Sequence, residues 1–165
     1  MTAIAQEAHL PALGHHRRDE AARELQATLV ELVDLSLIGK QLHWNISGRP
    51  FKPLHEHLDE LVDSWRDLSD TVAERAVALG IAPDGRAATV SAGSNIDAVE
   101  SGSIDTDTAL RELVMRLADV AERIRARMDR IGEIDLASQD VLIEVVRELE
   151  KQLWMVRASL PGGGV

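Results

Sequence analysis

Apolar residues recur along this chain every three or four positions, the spacing of helices that bury one face. Residues 19–45 carry Leu25, Leu29, Leu32 and Ser36 on one stripe. Val30 and Leu37 lie well round from it, and Leu35, Ile38 and Leu42 lie on the other side. A helix apolar on more than one side is covered on more than one side. Residues 53–79 repeat the spacing with Leu54, Leu58, Leu61, Trp65, Leu68, Val72 and Leu79. Pro53 suits a first helical turn, and Gly80 suits the position just past an end. Residues 107–131 carry Leu110, Leu113, Val114, Leu117, Val120, Ala121, Ile124, Met128 and Ile131. Residues 136–158 carry Leu142, Val145, Leu149, Leu153 and Val156, with Asp135 or Ser138 suited to cap the start.

The pattern therefore predicts four long helices of roughly six to seven turns each. The first pair is joined by the short "NISGRPFK" and the last pair by "GEID", so each pair runs antiparallel. Between the pairs lies 81–104, rich in Gly, Ser, Ala and Asp, with "NIDAVES" as a candidate helical turn. Helix connections in bundles are usually short, so this length implies a crossover. The predicted fold is all-α: a ferritin-like four-helix bundle whose one long crossover carries a short helix between helices 2 and 3. A single domain spans 1–165, with 1–18 and 160–165 read as tails and 19–159 as the bundle.

Composition narrows the chemistry. The chain has 165 residues and no cysteine, which excludes disulfides, thiolate ligands and Cys nucleophiles. Tyr is absent, and the aromatics are Trp44, Trp65, Trp154 and Phe51, too few for nucleic-acid stacking platforms. Net charge is −10, and the lysines are Lys40, Lys52 and Lys151. Such a surface repels phosphate backbones and attracts cations. Without a membrane-length apolar run or a leader pattern, a cytoplasmic location is expected.

The candidate chemistry lies on the second helix. With His55 at zero and 100° per residue, the apolar stripe centres near about −100°. Asp59, Asp63, Asp70 and Glu74 fall between roughly +20° and +100°, away from that stripe. Solvated faces look the same. Yet His55 and Asp59 are an i,i+4 pair, and so are Asp70 and Glu74, and each pair can hold one metal ion. Imidazole mixed with carboxylate suits iron, zinc or manganese. The two pairs are about 16 Å apart along the axis, so one chain cannot bring both to one ion. No Glu-x-x-His is present, so the bundle core lacks the usual di-iron set. Two weak half-sites, or one site shared by two chains across a twofold axis, remain open. His43, just across the short loop from His55, can join either, although a lone histidine in line with Leu25, Leu29 and Leu32 is more often a hydrogen-bonded core or interface residue.

These residues resemble a known family. "KQLHWNISGRPFKPLHEHLDE" followed by "DTVAERAVALG", with "LWMVRASL" in the last helix, is similar to the Dps proteins, small bacterial ferritins. The resemblance runs from about residue 19 to 159. It implies a ferroxidase centre between twofold-related subunits, with His43, His55 and Asp59 from one chain and Asp70 and Glu74 from the other. It implies a homo-dodecameric shell that oxidises Fe(II), preferentially with hydrogen peroxide, and stores ferric mineral, protecting DNA from oxidative damage. Trp44 resembles the family tryptophan beside the centre, an electron donor or radical quencher as readily as a packing residue. Acidic pores near the start of the last helix match Asp140 best, with Glu133 and Asp135 less closely. His57 and Asp63 match no ligand. Many relatives bind DNA through lysine-rich tails. This N-terminal tail has no lysine and ends in "HHRR", leaving Arg17 and Arg18 for weak, salt-sensitive contacts. The alternatives are a nucleoid-associated DNA-binding protein with secondary iron chemistry, and a helical oligomer with a structural zinc.

Overall fold

The computed structural model describes residues 13–162. In chain order the elements are α1 (His15–Asn45), β1 (Ile46–Ser47), α2 (Phe51–Ala78), α3 (Ala87–Gly93), β2 (Ile104–Asp105), α4 (Thr106–Gly132) and α5 (Leu136–Ala158). The helices pack chiefly as two pairs, α1 with α2 and α4 with α5, and α3 leans on α1. This is the expected bundle with a crossover between its second and third long helices.

The termini of the helices follow the local chemistry. Asp135 caps α5, its carboxylate accepting from the Ser138 N–H at 3.1 Å. Asp105 caps α4 in the same way through Thr108. Gly80, at φ 78°, follows the end of α2 in the left-handed conformation that a residue without Cβ adopts most cheaply.

Two boundaries differ from the expectation. α1 starts at His15, so Arg17 and Arg18 are helical and not part of a tail. The Arg18 N–H donates to Gly14 O at 3.1 Å, closing the first turn. The Arg17 guanidinium anchors that turn on the carbonyls of Glu133 and Ile134. The short crossover helix is Ala87–Gly93, not "NIDAVES". Arg116 takes the carbonyls of Asp97 and Ala98 at 2.8 Å each, and that stretch forms no helical turn. Asp84 accepts from Arg86 and from the Thr89 hydroxyl, and organises the start of the observed helix.

The core is a continuous apolar cluster along all four long helices. Each fully buried Leu or Val contributes on the order of 1.5–3 kcal/mol. Polar groups inside it are paired with the exception, among the described residues, of Arg123 Nη2, which is buried without a hydrogen-bond partner. The Trp65 indole N–H donates to Gln152 Oε1 at 2.7 Å. Glu31, wholly buried, accepts from Arg123 Nε at 2.6 Å and Arg127 Nη1 at 2.7 Å, tying α1 to α4. Gly39 lets α1 approach α2 closely: a Cβ there would lie 2.6 Å from both Val62 Cγ2 and Trp65 Cζ3. A parallel pairing of β1 and β2, Ile46 opposite Ile104, fastens the α1–α2 loop to the start of α4. Two residues per strand are too few to leave a period-two pattern in the sequence.

Candidate metal centre

The end of α1 and the start of α2 meet across the short loop, and their histidines meet with them. The rings of His43 and His55 stack, with centroids 3.6 Å apart and planes 23° from parallel. His43 Nδ1–H donates to the carbonyl of His55 at 2.9 Å, and His55 Nδ1–H donates to the carbonyl of His43 at 3.1 Å. Carbonyl oxygens only accept, so Nδ1 carries the proton on both rings of the neutral pair. That leaves each Nε2 lone pair for a ligand, the arrangement that orients metal-binding imidazoles in general. Phe51 also stacks on His55, with ring centroids 5.0 Å apart. His43 is buried and His55 half-buried.

Asp59 lies one turn along α2 from His55. Its Oδ1 is 3.2 Å from His43 Nδ1 and 2.5 Å from Lys40 Nζ. The hydrogen bond from the Lys40 ammonium, ahead of the charges of His43 and His55, holds the Asp59 carboxyl below the ordinary carboxylate range. Lys40 and Phe51 escaped the sequence reading. Lys40 sits three residues before His43, close enough on the helix surface to share its surroundings. That spacing was the available signal, but its partner is on another helix.

Asp70 and Glu74 are exposed further along α2. Among the described residues neither has a hydrogen-bond or ion-pair partner. Nor does any group of three or more His, Asp or Glu side chains among the described residues converge to hold a metal within one chain. The chain thus carries two incomplete donor sets, imidazoles at one end of α2 and acids toward the other. Trp44, beside His43, is 69% exposed, and Leu37 on the same face of α1 is 57% exposed.

The other expected residues are dispersed. Asp63 is exposed and lines an acidic groove of about 870 Å³ between α2 and α5, with Glu60, Asp67, Asp140 and Glu144. His57 pairs with Glu60 at 3.3 Å and lines a separate apolar pocket with Pro50, Pro53 and Met155. Asp140 and Glu133 are exposed at the α5 start. Asp135 is held by its cap and by Arg75 Nη2 at 2.6 Å, which binds it to α2. Arg18 bonds His15 at 2.8 Å.

A family model for the ferritin-like domain matches residues 22–161. DNA protection during starvation protein 2 of Deinococcus radiodurans is 34% identical over 151 residues, covering 92% of this chain and 63% of that protein. The chain therefore spans less than two thirds of that relative. The DNA protection during starvation protein of Mycolicibacterium smegmatis is 35% identical over 157 residues, 94% of this chain and 85% of the relative. The chain belongs to the Dps family. The solved structure of Mycobacterium smegmatis Dps in its tetragonal form superposes with a TM-score of 0.89 at 34% identity, covering 95% of each chain. Dps proteins are ferritin-like, a DNA-protecting, iron-storing family. Among the described residues no helix is long and apolar enough to cross a membrane.

Proposed function

We propose that this Dps chain is a ferroxidase subunit whose centre is completed only between two copies. His43, His55 and Asp59 of one chain face Asp70 and Glu74 of the other. The observation that carries this reading is the reciprocal clamp of His43 and His55, each ring fixed by the other's backbone carbonyl. It leaves the Nε2 of each ring free to ligate, while the unpartnered acids lie too far along α2 to reach them. A twofold axis across α2 makes the two copies antiparallel and brings unlike ends together. The exposed Trp44 and Leu37 supply an apolar seat for such a contact.

Iron(II) is the substrate. Mixed imidazole and carboxylate donors bind it and leave positions open for an oxidant. Two ferrous ions each give up one electron, and one hydrogen peroxide takes both, leaving two hydroxide ions and no hydroxyl radical. Trp44, beside His43, is the nearest aromatic electron donor in sequence should a one-electron step stray. Ferric product then collects inside a homo-dodecameric shell. Asp140, with the acidic groove beside it, is our candidate for leading cations inward, with Glu133 in support. Asp135 serves the helix cap first. Damage to DNA is prevented by removing iron and peroxide together. Direct contact through Arg17 and Arg18 is a minor contribution, because both are engaged at the helix start.

Peroxide-driven Fe(II) oxidation, followed by ferric absorbance, tests this. Asp70→Ala and His55→Gly should each abolish it while the fold persists. Oxidation at the wild-type rate in either variant would contradict the reading.

A further inference from the structure

Lys40 stands where a metal-binding half-site should hold only donors. Its ammonium lies 2.5 Å from Asp59 Oδ1, the same oxygen that faces His43 Nδ1 at 3.2 Å. The lysine side chain is 24% exposed and reaches Asp59 from α1, so it belongs to the half-site and not to the open surface. No comparable cation faces Asp70 or Glu74 among the described residues. One half of the proposed centre therefore carries a resident positive charge and the other does not.

From this asymmetry we infer that Lys40 is a positioning residue that competes with the metal for Asp59. In the metal-free chain it holds the Asp59 carboxylate against α1, beside His43 Nδ1. A divalent cation taking Asp59 as ligand meets the ammonium within a few ångströms, and like charges at that range repel strongly. Loading therefore requires Lys40 to withdraw from Asp59 into solvent, which its long flexible stem permits. The ammonium thereby sets an affinity ceiling, so that iron is bound for turnover and released to the mineral and not retained. This inference rests on the shared-centre reading.

The test is calorimetric titration of the assembled protein with Co(II), without oxidant. Lys40→Gln should tighten binding at the centre by about tenfold, equivalent to one decade in Kd. Lys40→Arg, which keeps the charge, should show no gain. The gain should vanish in the Asp59→Asn background, since the competition is for that carboxylate. A merely structural lysine would give the opposite sign, weaker binding on removal. Unchanged or weaker binding in Lys40→Gln, or an equal gain in the Asp59→Asn background, overturns the assignment. His55→Ala and Asp70→Ala are titrated alongside. If both bind Co(II) as wild type does, the shared centre itself fails and the role of Lys40 falls with it. If both lose binding while Lys40→Gln gains nothing, only the lysine role is wrong.

Discussion

Gly39→Ala should uncouple activity from stability. The added Cβ would sit 2.6 Å from Val62 Cγ2 and from Trp65 Cζ3. Ordinary carbon contacts are about 3.5–4.0 Å, so about 1 Å must be found. Trp65 and Val62 are buried and cannot swing away, so α1 and α2 must separate. Overpacking of this kind costs about 1–3 kcal/mol. Replacing a mid-helix glycine by alanine returns about 1 kcal/mol. The net loss is roughly 0–2 kcal/mol, a fall in Tm of up to about 8 °C for a chain of this size. The centre is more sensitive. His43 lies one helical turn beyond Gly39, and its ring stacks on His55 at 3.6 Å across the same two helices. A displacement of about 1 Å at reacting groups costs up to about a hundredfold in rate. Stopped-flow measurement of peroxide-dependent Fe(II) oxidation, with melting curves and particle size, should show a fall of about 10- to 100-fold in an assembled, folded protein. Gly132→Ala is the control: the nearest atoms to its Cβ would belong to the flexible side chain of Gln139, and it ends α4 at the opposite end from the β1–β2 pairing beside the His43–His55 clamp. A Gly39→Ala protein that oxidises iron within about twofold of wild type would refute the view that helix spacing sets the histidine clamp.

Other expectations concern the scaffold. Glu31→Gln leaves the buried Arg127 without its counter-charge, and should destabilise by about 3–5 kcal/mol. Calorimetry should then show Tm lower by roughly 10 °C or more, with much of the loss recovered in Glu31→Gln combined with Arg127→Met. Asp135 gives a pH signature. Burial pushes its carboxyl up, but hydrogen bonds from Ser138 and Arg75 outweigh this and leave it below the ordinary 3.8. Its contribution is therefore complete above about pH 4 and is lost as pH falls through the lowered value. Asp135→Asn should lower stability by ~1.5–3 kcal/mol at neutral pH, and the gap to wild type should close on acidification below about pH 4. A gap that is independent of pH would contradict the ion-pair role.

The long helices were legible because their packing partners act through a repeated period that any window of the chain displays. The caps were legible for the same local reason: Asp135 and Gly80 act on atoms a few residues away. What the period could not give was set by distant partners. "NIDAVES" has the composition of a helical turn, but Arg116 on α4 claims the carbonyls at Asp97 and Ala98. Lys40 reads as one more surface lysine until the register of α1 on α2 brings it to Asp59. The histidine clamp is likewise a product of register, since neither ring bonds within its own helix. The axial separation of Asp59 from Asp70 was, by contrast, a consequence of helix rise alone, and it already required a second chain if one centre were to use both.

Subunit mixing tests that requirement directly. His55→Ala chains and Asp70→Ala chains, each inactive alone, are unfolded together, reassembled and assayed for Fe(II) oxidation. Each mixed twofold pair holds one intact centre and one doubly damaged one, so a random mixture should recover about a quarter of wild-type activity. Activity no higher than that of the separate variants, in particles shown to contain both chains, would mean that each centre is built within a single chain.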